Sequence, residues 1–109
     1  MSTVPLPSRY RQLQRRLARL GFLSQGSVFE CKPSHQGSRY VWTRKVRGKT
    51  VTVALSEQQF RWLRQAVANQ RQLDSIVNQM RVLSRETLFS NIPGVARRKR
   101  LSKKVLGTI

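Results

Sequence analysis

The side chains that enzymes use for acid–base, nucleophilic or metal chemistry are scarce in this sequence. The 109 residues include one histidine, one cysteine and four carboxylates. The carboxylates are Glu30, Glu57, Asp74 and Glu86. Cys31 and His35 have the C-x3-H spacing of half a zinc site, but structural zinc needs four ligands and the sequence has no other cysteine or histidine. Because catalysis needs several such groups at one place, we predict no enzyme activity, no catalytic residues, no metal and no cofactor.

The chain is rich in positively charged side chains. Its 22 Lys and Arg residues face four acids, which gives a formal net charge of +18, and 16 of the 22 are arginine. A charge of this size cannot be neutralised within the chain. The planar guanidinium of arginine also suits bidentate contacts with phosphate and guanine. We therefore expect a nucleic acid as the partner, DNA more than RNA.

A group of four cations, Arg44, Lys45, Arg47 and Lys49, surrounds Gly48 inside the alternating stretch SRYVWTRKVRGKTVTVAL, residues 38–55. Alternation on both sides of Arg47-Gly48 predicts two antiparallel strands joined by a two-residue turn, with Gly48 supplying a positive φ. Such a turn fixes the register. The predicted cross-strand pairs are Val46–Lys49, Arg44–Val51, Trp42–Val53 and Tyr40–Leu55, and they share one face.

That face is expected to pack in the core, and the face of Thr50 and Thr52 is expected to stay in water. The predicted core residues are Tyr40, Trp42, Val51, Val53, Leu55, Phe60, Leu63 and Val67. Tyr40 and Trp42 could stack on nucleobases, but their place on the packed side favours a core role.

Two further segments are basic. Residues 9–20 place apolar residues on one helical stripe and arginines on the remainder, which predicts an amphipathic helix capped by Ser8 and ended by Gly21. The C-terminal segment after Pro93-Gly94 has the composition of a disordered arm that binds polyanions. A solvated helix face and a solubilising tail are the alternatives. The predicted nucleic-acid contacts are Arg11, Arg15 and Arg19 on the helix, Arg44, Lys45, Arg47 and Lys49 at the hairpin tip, and Arg97, Arg98, Lys99 and Arg100 in the arm.

A long helix is predicted after the hairpin. SEQQ, from Ser56 to Gln59, is a capping box, and Leu55 with Phe60 forms a hydrophobic staple. The helix should run for about 30 residues, about 45 Å, whereas a six-residue strand spans only about 20 Å. Its second half therefore needs another partner, either the N-terminal helix or the same helix of a second copy. The predicted self-association residues are Leu73, Ile76, Met80 and Leu83, and Asn69 would set the register of a dimer.

These elements make one α+β protein. The predicted organisation is a flexible lead-in (1–8), a single α+β domain (9–90) and a basic tail (91–109). The domain consists of a basic N-terminal helix, a three-stranded antiparallel β-meander whose first strand is GSVFECK, and the long C-terminal helix. The tail is predicted to be disordered.

No apolar run predicts a spanning helix or a secretory signal, so no membrane partner is expected. The lone cysteine fits a reducing compartment, and we expect a cytoplasmic, nucleoid-associated protein. A transit peptide in residues 1–29 is the alternative.

Three segments, GSVFECKP, TRKVRGKT and NQRQL, resemble a family of short, basic, uncharacterised prokaryotic proteins, a domain of unknown function often encoded beside transposases. The resemblance covers roughly residues 10–88. Many members carry extra cysteines and a G-P-Y step that this chain lacks, so a metal knuckle is not expected here. The resemblance implies the fold and a mobile-element context, with a transposase as a possible partner, and it assigns no catalytic residues.

Three functions follow from these observations. The first is a small accessory protein that binds nucleic acid. The second is a protein-interaction subunit or small dimeric regulator that docks through the long helix. The third is a ribosome-associated protein.

Overall fold

The computed structural model describes residues 4–31, 39–95 and 103–107. The elements follow the predicted α+β order. They are helix α1 (Ser8–Ala18), strands β1 (Ser27–Glu30), β2 (Tyr40–Val46) and β3 (Lys49–Leu55), helix α2 (Glu57–Asn91) and the short helix α3 (Lys103–Leu106). The chain divides into two compact units, one formed by Leu20–Leu73 and the other by Met1–Arg19 with Asp74–Ile109. Helix α2 contributes residues to both units.

The unit Leu20–Leu73 contains the sheet, an antiparallel meander in the order β1-β2-β3. Strands β2 and β3 pair in the predicted register, with Tyr40 opposite Leu55 and Val46 opposite Lys49. The turn between them has positive φ at both central residues, 51° at Arg47 and 80° at Gly48. Positive φ at both positions is the requirement of a type I′ turn, whose twist matches that of the flanking strands and so fixes their register.

Helix α2 begins where the sequence predicts. The Ser56 hydroxyl accepts a hydrogen bond from the Gln59 backbone N–H at 3.1 Å, and the Gln59 side-chain oxygen accepts one from the Ser56 N–H at 2.9 Å. Leu55 and Phe60, the two residues of the hydrophobic staple, are both buried. These bonds satisfy backbone donors that the first turn of a helix leaves free. The helix continues for 35 residues, somewhat longer than predicted.

The predicted core is correct at the base of the hairpin and wrong near its tip. Leu55, Phe60 and Val67 are buried, and the Tyr40 and Phe60 rings stack with centroids 4.6 Å apart. Tyr40, Trp42 and Leu63 are half-buried. Val51 and Val53, however, are 36% and 40% exposed. Thr50 and Thr52 on the opposite face are exposed as well.

The course of helix α2 explains why the two valines stay exposed. Gln59, Trp62 and Leu63 of α2 line a cleft with β2 and β3, whereas Arg64, Val67, Ala68 and Arg71 line another with Ser27, Val28 and Phe29 of β1. The helix therefore crosses from the base of the hairpin towards β1. The inner face, the hairpin face that the Leu20–Leu73 part of α2 contacts, therefore stays partly exposed at Val51 and Val53.

The unit of residues 1–19 and 74–109 contains α1 and the second half of α2. Helix α1 begins one residue earlier than predicted: Pro7 is the N-cap, its carbonyl accepts from the Arg11 N–H at 3.1 Å, and no side chain caps the helix. The Ser8 cap is therefore wrong, because Ser8 is already in the first turn. The helix ends at Ala18, and the Arg19 N–H bonds back to Arg16 at 3.2 Å before Gly21 is reached.

The four predicted self-association residues of α2 follow the a/d spacing of a heptad repeat, and we call them the heptad stripe. This stripe is largely covered by the chain itself. Ile76 is 1% exposed, so it cannot take part in self-association as predicted, while Leu73, Met80 and Leu83 are half-buried. Leu13 of α1 and Ile76 are the largest fully buried side chains, and Arg9 donates a hydrogen bond to the Gln79 side-chain oxygen at 3.0 Å. These observations favour the intramolecular alternative for the stripe.

The segment predicted as a basic tail contains a described helical turn, α3. Its last residue is followed by Gly107, whose φ is 79° and whose N–H bonds to the Lys104 carbonyl at 3.2 Å. Glycine in this conformation commonly ends a helix. A Cβ at Gly107 would come very close to the Arg85 guanidinium of α2, so the turn lies against that helix.

Candidate nucleic-acid interface

The four cations of the hairpin tip are all exposed. Arg44 and Lys49 point to the inner face, since Arg44 pairs with Val51 and Lys49 pairs with Val46. Lys45 points to the outer face opposite Thr50, and Arg47 occupies the turn. Arg44 and Lys49 are diagonal neighbours across the strands, a relation that places two residues about 7–8 Å apart. The turn thus gathers positive charge on both faces of one narrow ribbon.

The tip cations have no carboxylate partner among the described residues. The ion pairs in the sheet unit are Arg39–Glu30, which flanks the base of the sheet, and Arg61–Glu57 at 2.6 Å on α2. The Arg44 guanidinium lies 5.1 Å from the centroid of the Trp42 ring, a cation–π contact that leaves its charge uncompensated. Four like charges held together in this way repel one another, and an anion between them would relieve the repulsion.

The predicted cations of α1 belong to the other unit, so each unit carries its own basic group. Arg11, Arg15 and Arg19 are exposed. Arg11 and Arg15 are one turn apart on the same side of the helix, a like-charge pair that costs an isolated helix a few tenths of a kcal/mol. Arg19 lies just past the helix end. Arg97, Arg98, Lys99 and Arg100 lie outside the described residues.

An aromatic surface beside the hairpin was not predicted from the sequence. Trp62 of α2 is 52% exposed and Phe22 is 71% exposed, and their ring centroids are 4.9 Å apart. Trp62 also borders a cleft of about 340 Å³, which we call the aromatic cleft. It is lined by Trp42, Val53, Leu55, Gln59, Trp62 and Leu63. In the sequence, Trp62 lies outside the helical stripe of Phe60, Leu63 and Val67 that packs on the sheet, and this position could have indicated that it is exposed. Nothing in the sequence around Phe22 indicated its exposure.

The loop from Leu20 to Gly26 holds one side of this surface in place. The Asn69 side-chain amide donates to the Phe22 carbonyl at 2.9 Å, and the Ser24 N–H donates to the Ala66 carbonyl at 3.2 Å. The Trp42 indole N–H donates to the Gln25 carbonyl at 2.9 Å. The loop is therefore bonded to both α2 and β2, and the Trp42 ring has a fixed orientation.

Gly26 permits this close approach of the loop to the sheet. Its φ is 100°, and a Cβ there would lie 2.5 Å from both the Trp42 indole nitrogen and the Thr43 carbonyl oxygen. A side chain at this position would displace the indole or the strand. A glycine directly before β1 is thus required for the packing of Trp42, which lines the aromatic cleft.

Within residues 4–31, 39–95 and 103–107, no three His, Cys, Asp or Glu side chains form a group that could hold a metal ion. Cys31 is exposed and forms no disulfide. No helix in the described ranges is long and apolar enough to cross a membrane.

Comparison of the chain with protein-family models, with curated proteins and with solved structures finds no match. The resemblance to transposase-associated proteins therefore stays a prediction.

Proposed function

We propose that the protein binds nucleic acid, with DNA as the leading candidate, through phosphate contacts made by the hairpin tip. The observation that carries the proposal is the group of exposed cations at a type I′ turn, with no carboxylate partner among the described residues. A projecting two-stranded ribbon of this kind fits the width of a nucleic-acid groove. Arg11, Arg15 and Arg19 and the four cations at positions 97–100 add phosphate contacts. A mobile-element context for the activity follows from the resemblance alone.

The binding should depend steeply on salt. Each phosphate that a cation neutralises releases condensed counterions, so log K falls with log salt with a slope of about −0.9 per contact on duplex DNA. With six to ten contacts, affinity should fall by about a thousandfold or more between about 50 and 200 mM salt. Titrations against duplex DNA, single-stranded DNA and structured RNA over this range measure the slope for each partner.

A matched pair of double variants separates a specific role of the tip from the effect of net charge. Arg47→Gln with Lys49→Gln removes two unpaired charges from the tip. Arg39→Gln with Arg61→Gln removes two charges that are already paired with Glu30 and Glu57. We expect the tip variant to bind more weakly and to flatten the slope by about two units, and the control variant to change both much less. Equal losses in the two variants would show that only net charge matters.

A protein-interaction role is the second candidate, favoured by apolar side chains at the end of α2. Leu88 and Ile92 are exposed, and they line a cleft of about 340 Å³ together with Pro5, Leu6 and Tyr10. Because Ile76 is buried, this end of the helix replaces the heptad stripe as the docking surface. Light scattering of the wild type and of a Leu88→Asp variant tests whether it joins two copies.

A further inference from the structure

The proposed function uses the cations of the hairpin and leaves the aromatic surface beside them unexplained. Trp62 and Phe22 are both more than half exposed, although large aromatic side chains contribute most to stability when they are buried. Val51 and Val53 extend the exposed apolar surface along the inner face of the hairpin. Contiguous exposed apolar surface of this kind marks a place where a protein binds something.

Charge is distributed along the same inner face. From the base of the hairpin towards the turn, the cross-strand pairs are Tyr40–Leu55, Trp42–Val53, Arg44–Val51 and Val46–Lys49. Two strand residues span about 7 Å, so the Arg44 guanidinium over the Trp42 ring marks the point where apolar surface gives way to cations. An apolar partner would have to desolvate those cations. A partner with flat apolar faces and a string of negative charges would complement both parts.

We propose that the aromatic cleft binds unpaired nucleobases, so that the preferred ligand is single-stranded nucleic acid. This inference rests on the proposed function and specifies its substrate. Bases in a duplex are stacked on one another, whereas a single strand can place its bases on aromatic rings while its backbone follows a basic track. Trp62 and the cleft take the bases, and Arg44 and Lys49 take the phosphates. The hydrogen bond from Trp42 to Gln25 fixes the Trp42 ring in advance, which reduces the entropy lost on binding.

The test compares two strands of equal length that differ only in their bases: an oligothymidylate and an abasic sugar–phosphate strand. Both are titrated with the full chain, a Trp62→Ala variant and a Phe89→Ala control. Phe89 is another aromatic residue of α2, 41% exposed, and it lies in the other compact unit. A Trp62→Phe variant keeps a ring for stacking. Circular dichroism and thermal melting check that each variant is folded.

We expect the wild type to bind the oligothymidylate more tightly than the abasic strand, by about 5- to 150-fold for each stacked base. Trp62→Ala should lose most of this ratio, Phe89→Ala should keep it, and Trp62→Phe should keep much of it. Binding of the oligothymidylate should quench tryptophan fluorescence, and the Trp62→Phe variant should show less quenching.

Equal affinity for the two strands would overturn the proposal, as would an unchanged ratio in Trp62→Ala. The proposal would also be overturned if the wild type self-associates and the Trp62→Ala variant is monomeric, because the cleft would then hold a second copy. Abasic-strand binding that weakens in the Arg47→Gln, Lys49→Gln variant supports the phosphate contacts separately. If neither strand binds at low salt, the proposed function fails together with this inference.

Discussion

Removing the Asn69 side-chain amide should destabilise the protein and loosen the loop that carries Phe22. Asn69 is 8% exposed. Its amide N–H donates to the Phe22 carbonyl at 2.9 Å, and its amide oxygen accepts from the Gln65 side chain at 2.9 Å. No other buried polar or charged side chain is found among the described residues. Asn69 thus connects α2 to the loop from Leu20 to Gly26 by a side-chain bond.

The expected cost comes from two parts of this arrangement. A neutral hydrogen bond contributes about 0.5–1.5 kcal/mol net, and a carbonyl left without its donor costs about 1–3 kcal/mol when water cannot replace it. Because Phe22 itself is exposed, water can reach part of the loop, and we expect Asn69→Ala to cost about 1–2 kcal/mol. In a domain of this size, each kcal/mol lowers the melting temperature by about 4–8 °C, so the total decrease should be about 4–16 °C.

Thermal melting by circular dichroism measures the decrease, and near-ultraviolet circular dichroism reports the loosened contact between Phe22 and Trp62. The control is Gln65→Ala, which removes the other hydrogen bond of Asn69 on an exposed helix face and should cost at most about 0.5 kcal/mol. Asn69→Asp should cost at least as much as Asn69→Ala, because it directs a carboxylate at the Phe22 carbonyl. A melting temperature of Asn69→Ala within about 2 °C of wild type would show that the loop does not depend on this bond.

Two further predictions concern the hairpin and the start of α2. Arg47→Asn should raise the free energy of unfolding by about 0.5–1 kcal/mol, because Asn tolerates the φ of 51° better than Arg does, and it should flatten the salt slope of DNA binding by about one unit. Chemical denaturation and salt titration check the two effects, and a loss of stability would contradict the turn geometry. Ser56→Ala should lower the free energy of unfolding by about 1 kcal/mol through loss of the bond from the Gln59 N–H. No change in a denaturant midpoint would argue against a working capping box.

The elements that the sequence predicted well are those specified by neighbouring residues. A two-residue turn at Arg47-Gly48 sets every pair between β2 and β3, and the Ser56–Gln59 capping box sets the start of α2. Both structures depend on contacts between residues only a few positions apart, so the local sequence contains all the residues that determine them. Ser8 shows the limit of such local signals, because the Pro7 carbonyl could begin the helix one residue earlier.

The features that could not be predicted from the sequence are those that depend on how one helix or strand is placed relative to another. The alternation of apolar and polar residues correctly predicted that Val51 and Val53 share a face with Leu55. It could not predict that α2 runs towards β1 and leaves the two valines exposed. The Asn69 bond to Phe22 joins a side chain to a backbone carbonyl 47 positions away in a loop without periodicity. A heptad stripe, similarly, does not reveal whether the chain or a second copy covers Ile76. The cations of the hairpin tip could be identified from the sequence. Predicting the aromatic cleft would have required knowing the direction in which α2 crosses the sheet.

The distal half of the hairpin departs from what stability alone would favour in several independent ways. An arginine occupies a position with positive φ where Asn or Gly is preferred, two valines stay partly exposed, and four like charges crowd one turn. Elsewhere in the same unit the capping box is complete, the Tyr40 and Phe60 rings stack, and no buried side-chain polar atom among the described residues lacks a partner. The exceptions are Trp62 and Phe22 beside the hairpin, which are exposed as well. In natural proteins such local departures are concentrated where function opposes stability. The ligand that we propose, a polyanion with exposed bases, would relieve the charge repulsion and cover the apolar surface at once, so a single ligand class would account for departures that otherwise need separate causes.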